Sequence, residues 1–150
     1  MPARIRPLLP LLLLPLLVGC GGGPFAYFPG GALEGTPTSA PDSWAFTDEV
    51  DTIQLETNPA EPYSVNIWVV GLGEHLYVHA GDNRAEWVAN MEADPNVRLQ
   101  VEDAVYALAA TRVTDQAEFD RFAEAYAQKY WGPPGNGNVA EAYLFRLTAR

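Results

Sequence analysis

His75 and His79 stand four residues apart around Tyr77 and are the only two histidines in the chain. In a strand that spacing puts both side chains on one face, where two imidazoles could hold a metal or a haem. A metal centre needs further ligands, and none stands at evident spacing. No metal is expected, and the pair reads as solvated or hydrogen-bonded strand histidines. Hydrolytic chemistry has no support either, because Ser43 and Ser64 lack the Gly-x-Ser-x-Gly setting of an activated nucleophile. The acid pairs Asp48–Glu49 and Glu102–Asp103 fall where turns are expected, and solvated turn carboxylates are far commoner than general acid–base pairs.

The one cysteine, Cys20, has a different kind of chemistry available to it. Arg4 and Arg6 form a positive region, Leu8 to Val18 an apolar run, and Leu17-Val18-Gly19-Cys20 resembles a bacterial lipobox, in which the thiol receives a diacylglyceryl group. This layout predicts an export signal over residues 1–19, lipidation at Cys20, and a protein held on the periplasmic side of a bacterial membrane or at the cell surface. The alternatives are an ordinary secretory signal with an incidental cysteine, or a transmembrane helix. The helix is disfavoured by Pro7, Pro10 and Pro15 and by a run shorter than the roughly 20 residues a span needs. With a single cysteine the domain has no internal disulfide and must rely on an ordinary core.

Removal of residues 1–19 leaves 131 of the 150 residues, which suits one domain. The whole chain carries a formal charge of −10, and without Arg4 and Arg6 the remainder has 19 acidic against 7 basic residues, near −12. Such a surface repels nucleic acid and polyphosphate, so neither is expected as a partner. Acidity of this kind serves solubility and keeps a tethered protein off an anionic membrane surface.

The elements follow from periodicity. Residues 20–43 are rich in Gly, Pro, Ser and Thr and read as a tether, although Phe25, Tyr27 and Phe28 imply that part of it lies against the domain. The folded domain is expected over 44–150. Val50 to Thr57 alternates, with Ile53 and Leu55 on one face and Thr52, Gln54 and Glu56 on the other. Tyr63 to Val70 and His75 to Ala80 complete three consecutive strands. Asn83 to Asp94 takes helical spacing and stops at Pro95. Asn96 to Val101 and Ala104 to Val113 form a further hairpin. A longer helix, capped by Thr114 or Asp115, carries Phe119, Phe122, Ala123, Tyr126 and Tyr130 as a core-covering stripe and ends at Trp131-Gly132-Pro133-Pro134. Lys129 complements the dipole at that end. Ala142, Leu144 and Phe145 belong to a closing strand. The expected architecture is mainly β with two helices: a six-stranded antiparallel barrel or strongly curled sheet.

That order of elements, with Trp87 and Asn90 in "AEWVANMEADPNVRL" and the hairpin "VEDAVYALAATRVTD", resembles the FMN-binding-like split β-barrels related to pyridoxamine 5'-phosphate oxidase, and within them the deazaflavin-dependent nitroreductases. The similarity covers about Thr52 to Tyr130 and the closing strand. It implies a pocket near Arg84, Trp87 and Asn90 and a flavin or deazaflavin as cofactor, while the residues themselves fit a structural role equally well, the Trp87 indole filling the barrel mouth and the Asn90 amide capping local backbone. An isoalloxazine-like ring needs flat apolar walls and a few hydrogen-bonding groups, which Trp68, Trp87, Asn66 and Asn90 could supply. One stretch departs from the family. Its relatives hold the cofactor phosphate on a basic Gly- and Ser-containing turn between the first two barrel strands, and this chain has Asn58-Pro59-Ala60-Glu61-Pro62 there. A phosphate at that turn is expected to meet Glu61 and no cation.

Two functions follow. One is an envelope redox enzyme of the nitroreductase type, with FMN or a deazaflavin contacting Asn66, Trp68, Arg84, Trp87 and Asn90. The other is a non-catalytic envelope lipoprotein that keeps the fold, lacks the phosphate site, holds no cofactor and binds a small apolar molecule or a protein. The resemblance also implies a homodimer paired through its sheets.

Overall fold

The apolar run that begins at Tyr63 changes partners at Val69, and the sheet is organised around that change. The computed structural model describes residues 22–81 and 83–150. The expected export signal and the lipidation site Cys20 lie outside the described residues. The strands are β1 (Thr36–Thr38), β2 (Thr52–Thr57), β3 (Tyr63–Trp68), β4 (Val70–Leu72), β5 (His75–His79), β6 (Asn96–Val101), β7 (Ala104–Arg112) and β8 (Leu144–Ala149). The helices are α1 (Glu86–Ala93) and α2 (Gln116–Tyr130), with a 3-10 helix at Ala45–Glu49 before β2.

The sheet runs β3-β2-β6-β7-β8-β5-β4, every pairing along it antiparallel, and β1 adds to β7 in parallel. Its two outermost strands, β3 and β4, are consecutive in the chain and separated by one residue. The sheet must therefore curl until its edges meet at Val69. The curled, mainly β architecture with two helices is as expected, but the strands number eight among the described residues rather than six. One extra strand, β1, comes from the stretch expected as tether. The other, β4, begins at the last residue of the run Tyr63–Val70 and continues through Gly71 and Leu72, beyond that run's expected end, and alternation cannot show that the pairing passes from β2 to β5.

Register explains the core. Ile53 faces Ile67, Leu55 faces Val65 and Leu99, Leu99 faces Tyr106, and Leu147 faces both Ala110 and Leu76. Opposed residues share a face, so these side chains point together into the barrel interior. Trp44, Trp87, Val88 and Met91 plug the same cluster. A second cluster forms outside the barrel, where Val70, Tyr77 and Leu144 meet Phe119 and Phe122 of α2.

Each helix ends for a local reason. The Asp115 carboxylate accepts the Glu118 N–H at 2.8 Å, capping α2, and Trp131 leaves that helix in the left-handed region at φ 64°. Asp94, before Pro95, is extended at φ −141° and stops α1.

Residues 22–38 run along the barrel. Gly30 exchanges two 2.9 Å backbone hydrogen bonds with Ser64, covering part of the β3 edge. Leu33 is buried. Its N–H donates to Glu56 Oε2 at 2.6 Å, while the Arg98 guanidinium donates to Glu56 Oε1 at 2.7 Å and to the Leu33 carbonyl at 3.2 Å. Glu56, expected on the polar face of β2, is thus buried beneath this segment, its charge matched by Arg98.

Candidate functional site

The seam at Val69 leaves a backbone N–H and a C=O outside the strand pairing, and groups of this kind require partners. The last turn of α2 supplies them. The Tyr130 hydroxyl accepts the Val69 N–H at 3.0 Å and has the carbonyls of Asp51 and Val69 within reach, at 2.8 and 2.9 Å. Lys129 Nζ donates to the carbonyls of Thr47, Val50 and Val69 at 2.6, 2.9 and 2.8 Å. Burial lowers the Lys129 pKa, with Asp48 and Asp51 opposing the shift. Lys129 therefore does more than complement a helix dipole: it fastens α2 across the seam.

Fastened in this way, α2 forms one wall of a cavity of about 610 Å³ against the outer face of β3 and β5. Helical spacing aligns the rings along that wall. Trp68 stacks on Tyr130 at 4.7 Å and 10°, Tyr130 meets Tyr126 at 4.9 Å, Tyr126 meets Phe122 at 5.5 Å, and Phe122 meets His79 at 5.5 Å. Trp68 keeps 53% of its surface exposed, so its ring is available to a ligand. Ala26 and Tyr27 close one side, held by a 2.9 Å hydrogen bond from the Asn66 side-chain amide to the Ala26 carbonyl.

Two polar groups on this wall have fixed protonation. Desolvation among the rings pushes the His79 pKa down to about 4, and its Nε2 is buried without a hydrogen-bond partner. At neutral pH His79 is an uncharged imidazole with an unsatisfied nitrogen. The Tyr77 hydroxyl donates to Glu118 Oε1 at 2.9 Å, and Arg146 donates to the same oxygen at 2.8 Å. Burial, then the bond to Glu118, raise the Tyr77 pKa to about 12, so it stays protonated.

Of the five expected contacts, Asn66 and Trp68 line this cavity and Arg84, Trp87 and Asn90 do not. Trp87 is 7% exposed and packs inside the barrel, 6.3 Å from Phe145. The Asn90 amide donates to Thr57 Oγ1 at 3.1 Å, tying α1 to the end of β2. Arg84 pairs with Glu92 at 2.7 Å on the surface. Sequence reasoning passed over His79, Tyr126 and Tyr27 as members of the wall. The available signal was the shared face of Tyr77 and His79 together with the α2 stripe.

The Asn58–Pro62 turn also differs from expectation. Arg98 and Arg150 lie beside Pro59 and Pro62 around a hollow of about 190 Å³, so cations are present there. Both are already engaged, Arg98 with Glu56 and Arg150 with Asn96 Oδ1 at 2.8 Å. No arginine or lysine lines the aromatic cavity among the described residues. The cavity suits a flat, largely uncharged ring system; an anionic tail would have to extend out of it. No group of three or more potential metal ligands occurs among the described residues.

Comparison with known proteins adds to this geometry. The family model described as F420H(2)-dependent quinone reductase matches residues 67–132. No curated protein matches the chain significantly. A protein assigned as a pyridoxamine 5'-phosphate oxidase from Listeria innocua superposes with a TM-score of 0.55 at 13% identity, over 69% of this chain and 87% of its own. A protein assigned to 5-nitroimidazole antibiotic resistance in Bacteroides thetaiotaomicron gives 0.54 at 11% identity, over 69% and 75%. An FAD-binding protein from Mesorhizobium loti gives 0.50 at 18% identity, over 67% and 79%. By this likeness the domain has the split-barrel fold of the pyridoxamine 5'-phosphate oxidase kind, and its central segment is similar to the F420H(2)-dependent quinone reductases.

Proposed function

We propose that this chain is a redox enzyme that holds a deazaflavin or flavin ring in the aromatic cavity between β3, β5 and α2, and that a lipid on Cys20 holds it at a bacterial membrane. The observation that carries this reading is the cavity itself. It is walled by Trp68, Tyr126 and Phe122, fitted with two neutral polar side chains, Asn66 and His79, and seven of its lining residues fall inside the matched segment 67–132. The family match favours a deazaflavin over FMN. A bound ring of this class supplies hydride or electron transfer. The chain's own residues then bind and orient: Trp68 and Tyr126 offer flat faces, and Asn66 and neutral His79 line the cavity as uncharged polar side chains beside them. Pairing of two copies through their sheets belongs to the same reading and is checked by sedimentation.

The test is a titration of the purified full chain in mild detergent with FMN, FAD and a deazaflavin, followed by cofactor fluorescence. Micromolar, saturable binding of the deazaflavin is expected. The scarcity of free cations near the cavity favours a second reading, a non-catalytic carrier of a small apolar molecule; failure of all three cofactors to bind, with an apolar dye still bound, would establish it.

A further inference from the structure

We infer that the turn Phe25–Phe28 is a membrane-docking element that seats its rings in the lipid–water interface and turns the mouth of the aromatic cavity toward the bilayer. Phe25 is 79% exposed, Tyr27 102% and Phe28 72%, three large rings on four consecutive residues. Exposed rings gathered in this way mark an interaction surface. The turn is built: Phe25 and Phe28 exchange backbone hydrogen bonds of 3.1 and 2.9 Å, and the Asn66 amide holds the Ala26 carbonyl between them. Behind it, the Gly30–Ser64 bonds and the buried Leu33 clamp fix the segment to the barrel. A pinned turn of this kind presents its rings in one direction at little ordering cost.

The charge pattern and the position in the chain identify the occupant. Residues 22–33 contain no charged side chain in a chain with 19 acidic residues. An acidic protein is repelled by anionic lipid, so contact with a bilayer has to be made by an uncharged apolar patch, and aromatic rings are the side chains that settle at that interface. Phe25 follows Cys20 by five residues, at most about 18 Å of chain, so the lipid expected on Cys20 delivers this turn to the membrane surface. The inference rests on the Cys20 anchor of the proposed function. Because Tyr27 also lines the cavity, the ligand that reaches the ring from this side is a lipid-soluble one.

Lipidation consumes the thiol of the one cysteine, so Tyr27→Cys in the full chain creates a single free thiol at a fully exposed position, where folding is not at risk. Ala140→Cys, in the loop beside the N-terminal end of α2, serves as control. Each variant is produced in a bacterial host, weighed by intact mass, spin-labelled and reconstituted in phosphatidylcholine vesicles. The expected result is a several-fold higher ratio of oxygen to nickel-chelate collision rates at position 27 than at 140, unchanged by salt. Equal ratios on a chain that carries its lipid would overturn docking alone. A chain whose mass shows no lipid would overturn the anchor and, with it, this inference. Spin–spin broadening at position 27 would mean that a second copy covers the turn, and would overturn it as well.

Discussion

At the scale of single residues, two side chains have strained electrostatics and give direct tests. His79 has its folded pKa pushed down to about 4, below the ordinary 6.5. Between those values the unfolded chain binds the proton and the folded one does not. The stabilisation is complete above pH 6.5, falls as pH drops toward 4, and changes no further below that. Thermal denaturation should show wild type losing about 1–2 kcal/mol more than His79→Phe between pH 7 and 4.5, once the partial exposure of the ring is allowed for. A matching pH dependence in the two proteins would mean that the imidazole is hydrated. Lys129 is the second case. Lys129→Met keeps the aliphatic stem and leaves the carbonyls of Thr47, Val50 and Val69 without their donor, which should cost about 1–3 kcal/mol in urea denaturation.

At the scale of elements, the segment ahead of β2 behaves as part of the barrel because Glu56 and Arg98 hold it. Glu56→Ala strands the Leu33 N–H and leaves a half-buried guanidinium unpaired. A loss of about 2–3 kcal/mol is expected, less than for a fully buried pair because the Arg98 side chain is 37% exposed. Amide exchange should accelerate first at Gly30 and Leu33, and Glu56→Leu with Arg98→Leu should recover only the part due to the unpaired guanidinium, because the Leu33 N–H still lacks its acceptor. Such couplings mark the boundary of what alternation and spacing can reveal. The hairpin β6–β7, both helices, the Asp115 cap of α2 and the stop of α1 before Pro95 were legible because periodicity, Asp115 and Pro95 are local signals, whereas the start of α1 at Glu86 has no side-chain cap to mark it. The change of partner at Val69 was not, since the run Tyr63–Val70 reads as one strand through that residue and only the tertiary path decides which neighbour each part joins. Glu56 was misjudged for the same reason: its face of β2 is polar in sequence, and the cover comes from residues more than twenty positions earlier. Asn66 and Trp68 line the aromatic cavity because they stand on the outer face of β3. Trp87 looked equivalent in sequence, but α1 directs it inward with Val88 and Met91.

At the scale of the whole molecule, the curled sheet and α2 together create a cavity that neither would have alone, and Lys129 and Tyr130 hold that pairing at the seam. Loosening the clamp should therefore weaken ligand binding as well as stability. Tyr130→Phe removes the hydroxyl at Val69 and keeps the ring under Trp68, so a modest drop in stability with a smaller loss of affinity is expected, read by melting and titration on the same sample. Under the proposed membrane docking, the uncharged aromatic turn Phe25–Phe28 would face lipid and the acidic side chains would remain in solvent.

The central claim is that a deazaflavin-type ring lies against Trp68 in the cavity beside α2, rather than near α1 where the resemblance alone would have put it. The most direct measurement is the dissociation constant of the deazaflavin for wild type, Trp68→Ala and Arg84→Ala, by cofactor fluorescence. Micromolar binding by wild type, weakened about tenfold or more in Trp68→Ala and unchanged in Arg84→Ala, is the predicted result. Binding that survives Trp68→Ala and fails in Arg84→Ala would contradict the account and return the site to α1.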